Sequence, residues 1–590
     1  MLELLPLGLL FFSGIGTITL NRLWIGKVGA IFSLLSFIML SFWEQKITKV
    51  NWFHFLNFEF NFSFNFGQIE ILLCLIINII LLCLYYTIST ICFEKDVYRK
   101  FGILNVFIFF MCLAILSNNL IQFYVAIEAL GLISAFLVSI EKGAETEATK
   151  VFIFNKFASV LFLIGTTLLV IETNSFDISE ICKKNISLLS ACLFLFACCC
   201  KGAQMPFSYW LIDAVKANIF ASILIHAGTI IAIGIIFIAK FSFIFEQFLI
   251  LKQSMYVVGM ATSIYMGFCA LAHNNIKKIV ACLTASSAGI MFIACGLGEY
   301  SVAVLYLICH AFFKSMLFLA FAYLISAMSG EKNINRMGGI ARIAPKVTSI
   351  VWISFLFASG FPLLTGFFPK IALSGIIQNT DSNIFLVATI LANLLNIMAI
   401  FRMLFQSIYG DTKADEMTFF RASKSNEYTF IPFWSLATIS MLFSFVVWKI
   451  FKVGLLGFGD EEMTYISENY LQDSLNILLQ IILAMSSIAI FEKSINNRIG
   501  EKIALLIRKH KLYKRTVSAI VNTVMRSAGI FDAWCHQIAH AGNVETFKEL
   551  YNAGNFLKTA HINCLQNHIV WMLFGMTLCL IFIITEGVLG

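Results

Sequence analysis

The chain has 590 residues and a formal net charge of +8, and 59% of its residues are hydrophobic while only 13% are charged. Soluble domains carry roughly 25% charged residues. The composition therefore argues against a soluble enzyme, a disordered scaffold or a secreted disulfide module. It indicates a polytopic membrane protein.

Continuous apolar runs recur along the chain, each near the length of one transmembrane helix, about 20 residues. We predict about sixteen spans and therefore an all-α polytopic membrane fold. In chain order the predicted spans are 2–20, 28–43, 70–92, 101–117, 120–140, 150–172, 187–205, 218–240, 253–272, 278–297, 301–327, 347–369, 383–406, 430–449, 474–492 and 568–588. The first run lacks a basic region and a small-residue cleavage site, so we expect a retained span and not a signal peptide.

Residues 50–67 do not fit a span, because phenylalanine alternates there with polar residues. The phenylalanines at period two are Phe60, Phe62, Phe64 and Phe66. Such alternation is typical of strands with one apolar face. We predict an amphipathic β-hairpin that lies against the periplasmic surface of the membrane.

Residues 493–566 form the longest polar interval of the chain. Apolar residues recur there at helical spacing, as in Ile503, Leu506 and Ile507, with many basic residues between them. This pattern predicts a long amphipathic helix that lies along the membrane surface or along partner proteins. We refer to 493–566 as the lateral segment.

Lysine and arginine are distributed unevenly between the two sets of loops. Loops after odd-numbered spans, with the lateral segment, hold about 28 of these residues, and the loops on the other side hold about 9. Basic loops stay on the cytoplasmic side of a membrane. We therefore expect periplasmic termini and a cytoplasmic lateral segment.

Several ionisable residues lie inside the predicted spans, where a charge costs roughly 2.5–3.5 kcal/mol on insertion scales. This cost makes them candidates for function. They are Glu128, Lys201, His226, His310, Lys314 and Lys370, with Lys156 and Tyr306 as secondary candidates. Since Tyr306, His310 and Lys314 recur every four residues, they share one helix face.

Some of these residues also have a structural interpretation. Lys156 and Arg402 lie near the ends of predicted spans, from which a long side chain can reach the membrane surface. His226 is also compatible with a hydrogen-bonded histidine between helices. For Glu128, Lys201 and Lys314 a purely structural role is harder to sustain, because all three lie deep in apolar sequence.

Two of the predicted helices are interrupted. Gly202 and Pro206 follow Lys201 in the seventh span, and the twelfth span reads SGFPLLTGFFPK up to Lys370. Proline breaks or kinks a helix, and broken helices at membrane depth line cavities and mark ion sites. Two breaks five spans apart, each with a lysine, indicate two five-helix repeats of opposite topology.

These features divide the chain into six parts. The predicted parts are N-terminal helices with the hairpin (1–100), a first repeat (101–240), a second repeat (253–406), C-terminal helices (430–492), the lateral segment (493–566) and a final transmembrane helix (567–590).

The 16 cysteines lie mostly in apolar runs, where cysteine behaves as a small hydrophobic residue. The Cys-x-x-Cys pairs of a zinc site and the glycine-rich loops of a nucleotide site are both missing from the sequence. We expect no metal and no other cofactor in this chain, and no nucleic acid as a partner.

Four segments of the sequence resemble the antiporter-like membrane subunits of respiratory complex I. They are KGAQMPFSYWLIDAV, ASILIHAGTIIAIGI, NNIKKIVACLTASSAGIMFIACG and YLICHAFFKSMLFLAFAYLI. Similar motifs occur in Mrp-type sodium/proton antiporters. The resemblance covers about residues 70–410, and the subunit L type of bacterial NADH-quinone oxidoreductase fits best.

The resemblance implies roles for individual residues. Glu128 and Lys201 would form a charge pair, and His226 would belong to the same proton path. Lys314, which follows His310, would be the central lysine of that path. Lys370 would mark the place from which protons leave.

The sequence departs from the family pattern at several positions. Ser159 stands where an acidic residue usually faces Lys156, Tyr306 stands for a histidine, and Ile371 stands for an aspartate. The loop before the eighth span lacks its usual proline. These departures are expected of a divergent paralogue in which the central charges are kept.

The resemblance implies a proton-translocating, non-redox membrane subunit of a complex I-like NADH-quinone oxidoreductase in the bacterial inner membrane. Its partners would be other membrane subunits and phospholipid, and redox energy would come from those subunits. Two alternatives stay open. One is a subunit of an Mrp-type Na⁺/H⁺ antiporter, and the other is a degenerate paralogue that scaffolds an assembly through the lateral segment.

Overall fold

The computed structural model describes most of the chain up to residue 486. The described ranges are 2–42, 47–55, 58–91, 97–217, 219–228, 230–378, 383–409, 430–453 and 474–486. The predicted lateral segment and the predicted span 568–588 lie outside these residues.

The N-terminal part holds two packed helices and a hairpin. α1 (Leu5–Leu20) and α2 (Leu23–Ser41) are followed by strands β1 (Ile47–Phe55) and β2 (Phe58–Asn65). The strands pair antiparallel, with Ile47 opposite Asn65. The predicted β-hairpin is therefore confirmed, whereas its periplasmic location stays a prediction.

The hairpin is fastened to the first helices of the predicted repeat through β2. The Ser63 amide donates to Oε1 of Gln122 at 3.0 Å, and the Asn118 amide donates to the Ser63 carbonyl at 2.8 Å. Phe64 and Phe66 are buried. The apolar side of the hairpin thus packs onto helices and not only onto lipid.

Helices make up nearly all of the remaining described chain. The longer ones are α3 (Gln68–Ile91), α4 (Val97–Leu116), α5 (Leu120–Ser139), α6 (Glu145–Thr173), α8 (Leu188–Lys201), α10 (Ile219–Ala227), α11 (Ile230–Lys240), α13 (Leu249–Ala272), α14 (Ile276–Leu297), α15 (Tyr300–Ala327), α17 (Pro345–Ser359), α18 (Phe368–Gln378), α19 (Asn383–Ile408), α20 (Ile431–Val453) and α21 (Ser474–Ser486). The shorter ones are α7 (Ile178–Ile181), α9 (Tyr209–Ala214), α12 (Ser242–Glu246) and α16 (Ile340–Ile343).

Ten of the described helical segments are long and apolar enough to cross a membrane. Asparagine and serine caps begin several of them: Asn119 at α5, Ser187 at α8 and Asn275 at α14 each accept backbone N–H groups. These side chains satisfy donors that a helix start would otherwise leave unpaired. The chain is a helical, polytopic membrane protein.

Both predicted breaks are present. α8 ends at Lys201 and α9 begins at Tyr209, while α17 ends at Ser359 and α18 begins at Phe368. The predicted spans 187–205 and 347–369 extend past these breaks, so the helices α8 and α17 end earlier than the spans predicted.

The structure adds a break within 218–240, which the sequence analysis treats as one span. α10 ends at Ala227 and α11 begins at Ile230. Gly228 follows α10, and a Cβ there would meet the Ala311 Cβ at 3.3 Å. Phe220–Lys240 nevertheless forms one candidate membrane span, as predicted, and Gly228 allows its close approach to α15.

α14 and α15 form the centre of the helical bundle. Their apolar segments are completely buried, whereas most other spans leave a third or more of their residues at the surface. α15 packs against α10, α11, α14 and α17. A residue in the middle of α15 is therefore far from lipid on every side.

Candidate functional site

All six primary candidate residues are buried. Their exposed fractions are 8% for Glu128, 3% for Lys201, 1% for His226, 1% for His310, 2% for Lys314 and 9% for Lys370. Burying an ionisable group in a medium of low dielectric constant is costly unless it is paired, hydrogen-bonded or neutral. The chain therefore carries six such groups inside its helical core.

Glu128 on α5 forms an ion pair with Lys156 on α6. The structure thus corrects two expectations. Lys156 does not extend to the membrane surface, because α6 begins at Glu145 and places Lys156 three turns inside the helix. Lys201 is not the ion-pair partner of Glu128.

Lys201 instead contacts two uncharged oxygen atoms. Its Nζ donates to Asn155 Oδ1 at 3.2 Å and to the Ile127 carbonyl at 3.4 Å. Ile127 directly precedes Glu128 on α5, so Lys201 contacts the backbone of the helix that carries Glu128. Asn155 was not among the predicted site residues, although an asparagine inside an apolar span is a signal that sequence analysis can detect.

The end of α8 fixes the position of Lys201. The Gly202 amide bonds to the Cys198 carbonyl at 2.7 Å, and Trp210 Nε1 donates to the Cys200 carbonyl at 2.9 Å. A Cβ on Gly234 would lie 2.5 Å from the Gly202 Cα. α11 therefore packs directly against the break that follows Lys201.

His226 lies at the end of α10 and stacks on Phe318 of α15, with ring centroids 5.3 Å apart. Neither of its ring nitrogens has a hydrogen-bond partner among the described residues. Phe318 comes one turn after Lys314, so His226 lies against the central part of α15. The His310 ring, from the same helix, faces the carbonyl of Ala227.

Lys314 connects these histidines to the second break. It follows His310 by one turn on α15, and α15 packs against α18, which carries Lys370. Tyr306, two turns before Lys314, faces Ser287 of α14. The predicted column on α15 is thus buried along its length, with one end towards α14.

Lys370 lies in the first turn of α18 and reaches back across the break. Its Nζ donates to the carbonyl of Ser359, the last residue of α17, at 2.7 Å. A cation is favoured at a helix C-terminus. Gly360 makes room for this contact, because its φ is 82° and a Cβ there would lie 3.0 Å from Lys370 Cδ.

The other cations within the bundle bind backbone oxygens. Arg402 donates to the Leu271 and His273 carbonyls and to Asn274 Oδ1, which supports its structural interpretation. Lys277, between two predicted spans, donates to the Ala217 carbonyl at 3.0 Å, and Lys240, at the end of the predicted span 218–240, donates to the Ile115 carbonyl at 2.5 Å. Because each follows or ends an apolar run, the sequence offered no signal of their burial.

A metal centre has no support in the part of the chain that the structure describes. No group of three or more His, Cys, Asp or Glu side chains there is placed to hold an ion. The twelve cysteines within the described ranges are all unpaired.

Buried lysines, a carboxylate and histidines thus lie in helices that pack around two predicted breaks. Residues 117–396 match the family described as NADH:quinone oxidoreductase/Mrp antiporter, transmembrane. The match covers 280 of the 590 residues, so the central region of the chain is similar to that family.

Among curated relatives, NADH-quinone oxidoreductase subunit L of Rickettsia typhi is 29% identical over 411 residues, which cover 66% of this chain and 63% of the relative. NADH-ubiquinone oxidoreductase chain 5 of Phytophthora infestans is 30% identical over 403 residues, which cover 62% and 61%. The matched stretch thus spans less than two thirds of either relative.

Two solved structures share the fold. The Mrp complex from Dietzia sp. DQ12-45-1b superposes with a TM-score of 0.75 at 17% identity and covers 95% of this chain and 63% of that chain. The membrane-bound sulfane sulfur reductase, an archaeal respiratory membrane complex, gives 0.68 at 15% identity and covers 82% and 98%. At these identities the likeness extends to the fold alone.

Proposed function

We propose that the chain translocates protons as a membrane subunit of a complex I-like NADH-quinone oxidoreductase. One observation carries this proposal: six buried ionisable groups, from Glu128 to Lys370, lie inside the helical bundle, and three of them, Lys201, His226 and Lys370, lie next to helix ends. Buried ionisable groups inside a membrane protein mark ion pathways. The chain itself would hold no redox cofactor, and partner subunits would supply the energy.

In this proposal the lysines alternate between charged and neutral forms. Burial disfavours the charged amine, and a nearby carboxylate favours it. Glu128 is engaged by Lys156 and lies one residue from a carbonyl that Lys201 contacts. Movement of this carboxylate from Lys156 towards Lys201 would load a proton onto Lys201, and its return would release that proton.

Ordered water would join the groups that do not touch. Gln204 Oε1 and Ser208 Oγ, in the break after Lys201, and both ring nitrogens of His226 are buried without a partner among the described residues. Buried polar atoms of this kind are the usual sites of internal water. Such water would carry protons from Lys201 through His226 to Lys314 and then to Lys370.

The finer architecture belongs to the same proposal. We infer about sixteen spans, two inverted five-helix repeats at 101–240 and 253–406, and a lateral segment that binds partner subunits. A lysine at each of the outer breaks supports the repeats: Lys201 ends the helix before one break, and Lys370 lies in the first turn after the other. The inferred orientation has periplasmic termini and a cytoplasmic lateral segment in a bacterial inner membrane.

The role of the lateral segment has its own test. At about 1.5 Å rise per residue, a helical segment of this length would extend on the order of 100 Å, beyond the width of one bundle. Replacing Ile503, Leu506 and Ile507 with serine should therefore lower the yield of the assembled complex and leave insertion of the subunit unchanged. Normal assembly with failed ion transport would instead assign the segment to coupling.

The experiment that tests the function compares driving forces in membrane vesicles. NADH-dependent proton flux that requires this chain supports the proposal. Sodium-for-proton exchange without NADH would overturn it in favour of an Mrp-type antiporter subunit. That alternative is considered because the chain shares its fold with the Mrp complex. Loss of assembly on deleting 493–566, with no effect of Lys314→Ala, would indicate a scaffold.

A further inference from the structure

Lys201 is bound by neutral acceptors, one of which is the carbonyl of Ile127, the residue before Glu128. Its amine contacts Asn155 Oδ1 at 3.2 Å and the Ile127 carbonyl at 3.4 Å. Lys201 and Asn155 are 3% and 4% exposed. An asparagine amide is an uncharged partner, and its oxygen can accept from an amine that is either charged or neutral.

The orientation of the Asn155 amide is fixed by its own helix. Nδ2 donates to the Val151 carbonyl of α6 at 2.9 Å, which leaves Oδ1 to accept from Lys201. Gly131 on α5 provides the space: a Cβ there would lie 3.0 Å from Asn155 Cβ and 3.3 Å from Lys201 Nζ. Three helices thus meet at one hydrogen bond.

Two consecutive residues of α6 bind the two ionisable groups separately. Lys156 pairs with the Glu128 carboxylate, and Asn155 Oδ1 accepts a hydrogen bond from the Lys201 amine. Without Asn155, the nearest alternative for the Lys201 amine is the region of Ile127 and Glu128 on α5. The amine would then compete with Lys156 for the single carboxylate.

We propose that Asn155 is a positioning residue that holds the Lys201 amine on a neutral acceptor and away from Glu128 between proton transfers. An ammonium paired with a carboxylate is stabilised in its charged form, whereas an amide oxygen favours it far less. Asn155 therefore keeps Lys201 able to give up its proton. This inference rests on the proposed function, because it assigns Asn155 a part in that proton path.

The test measures redox-driven proton flux in vesicles from cells that express full-length variants, normalised to the amount of inserted chain. Asn155→Leu keeps the volume but removes the acceptor, and should lower the flux by about tenfold, the effect of losing one buried hydrogen bond in the rate-limiting transfer. Asn155→Asp keeps the shape but adds a charge that pairs with Lys201, and should lower the flux comparably.

Asn155→Thr should restore most of the flux, because a threonine hydroxyl can donate to Val151 and still accept from Lys201. Thr173→Ala is the matched control: Thr173 is buried near the other end of α6, and its hydroxyl donates to the Leu169 backbone carbonyl at 2.7 Å. Its flux should equal that of the wild type.

Wild-type flux per inserted chain in Asn155→Asp overturns the positioning role, as does equal loss in Asn155→Thr and Asn155→Leu, which indicates a packing role. If Asn155→Leu fails to insert, the comparison of Asp with Thr still decides, because both are close to asparagine in size. Lys201→Ala separates the two hypotheses. Wild-type flux in that variant contradicts the proton path itself, whereas lost flux there with unchanged Asn155 variants contradicts only this inference.

Discussion

The partnership of Glu128 gives a quantitative prediction, because the structure pairs it with Lys156 and not with Lys201. The two side chains of the pair are 10% and 19% exposed. Removing one partner of a buried ion pair costs about 3–5 kcal/mol, since the other charge stays buried and unpaired. Because Lys156 is partly exposed, we expect Glu128→Gln to lower the free energy of unfolding by about 3 kcal/mol, the lower end of this range.

A double-mutant cycle isolates the interaction from the cost of each substitution. Glu128→Gln, Lys156→Met and the double variant should give a coupling free energy of about 1–3 kcal/mol, typical of residues in direct contact. The parallel cycle of Glu128→Gln with Lys201→Met should give a clearly smaller value, because Lys201 contacts Asn155 and Ile127 instead.

The assay is unfolding of the purified chain in mixed micelles as the fraction of sodium dodecyl sulfate rises, followed by circular dichroism. Equal coupling of Glu128 to both lysines would mean that the carboxylate is shared in the resting state. Larger coupling to Lys201 would refute the assignment of the pair and restore the expectation from the family resemblance.

Three further predictions concern strain, charge and orientation. Gly360→Ala should destabilise the protein in the same unfolding assay by more than Gly330→Ala. Both glycines have a left-handed φ, which costs an alanine about 1–2 kcal/mol. Only at Gly360 would the added Cβ also lie within 4 Å of other atoms. The pKa of Glu331 is lowered by the backbone N–H groups of Asn333 and Lys332; its contribution to stability is therefore present above its ordinary range and lost as pH falls through the lowered value, and Glu331→Gln should remove this pH dependence of unfolding. The exposed native Cys182 should react with an impermeant maleimide added outside the cell, whereas a cysteine replacing Lys511 in a Cys182→Ser background should not; the opposite labelling would reverse the proposed orientation.

The elements that local sequence determines were predicted well. The break after Lys201 was predicted because Gly202 and Pro206 cannot continue a helix of that length, and the hairpin was predicted because its phenylalanines alternate. The break after Ala227 was missed, since only Gly228 marks it and a single glycine is often tolerated within a helix.

The contacts between helices could not be predicted from the same signals. Which lysine reaches Glu128 depends on where α6 begins and how it is rotated against α5 and α8, and packing sets both. The resemblance named the residues but paired Glu128 with Lys201. Asn155 was not predicted, because an asparagine carries no charge whose burial would mark it, although a buried amide can bind an amine as well.

The central claim is that the buried lysines carry protons, and Lys314 tests it most directly. It lies in the middle of α15 and is 2% exposed. Lys252, at the start of α13 and paired with Glu246 at 2.8 Å, is a matched control near the surface. Both lysines are replaced with methionine, which keeps most of the side-chain length and removes the charge.

The measurement is NADH-driven proton flux per inserted chain in inverted membrane vesicles. The proposal predicts that Lys314→Met loses at least about nine tenths of the flux, a change of about 1.4 kcal/mol in the barrier, while Lys252→Met keeps it. Wild-type flux in Lys314→Met at normal abundance would contradict the proposed proton path.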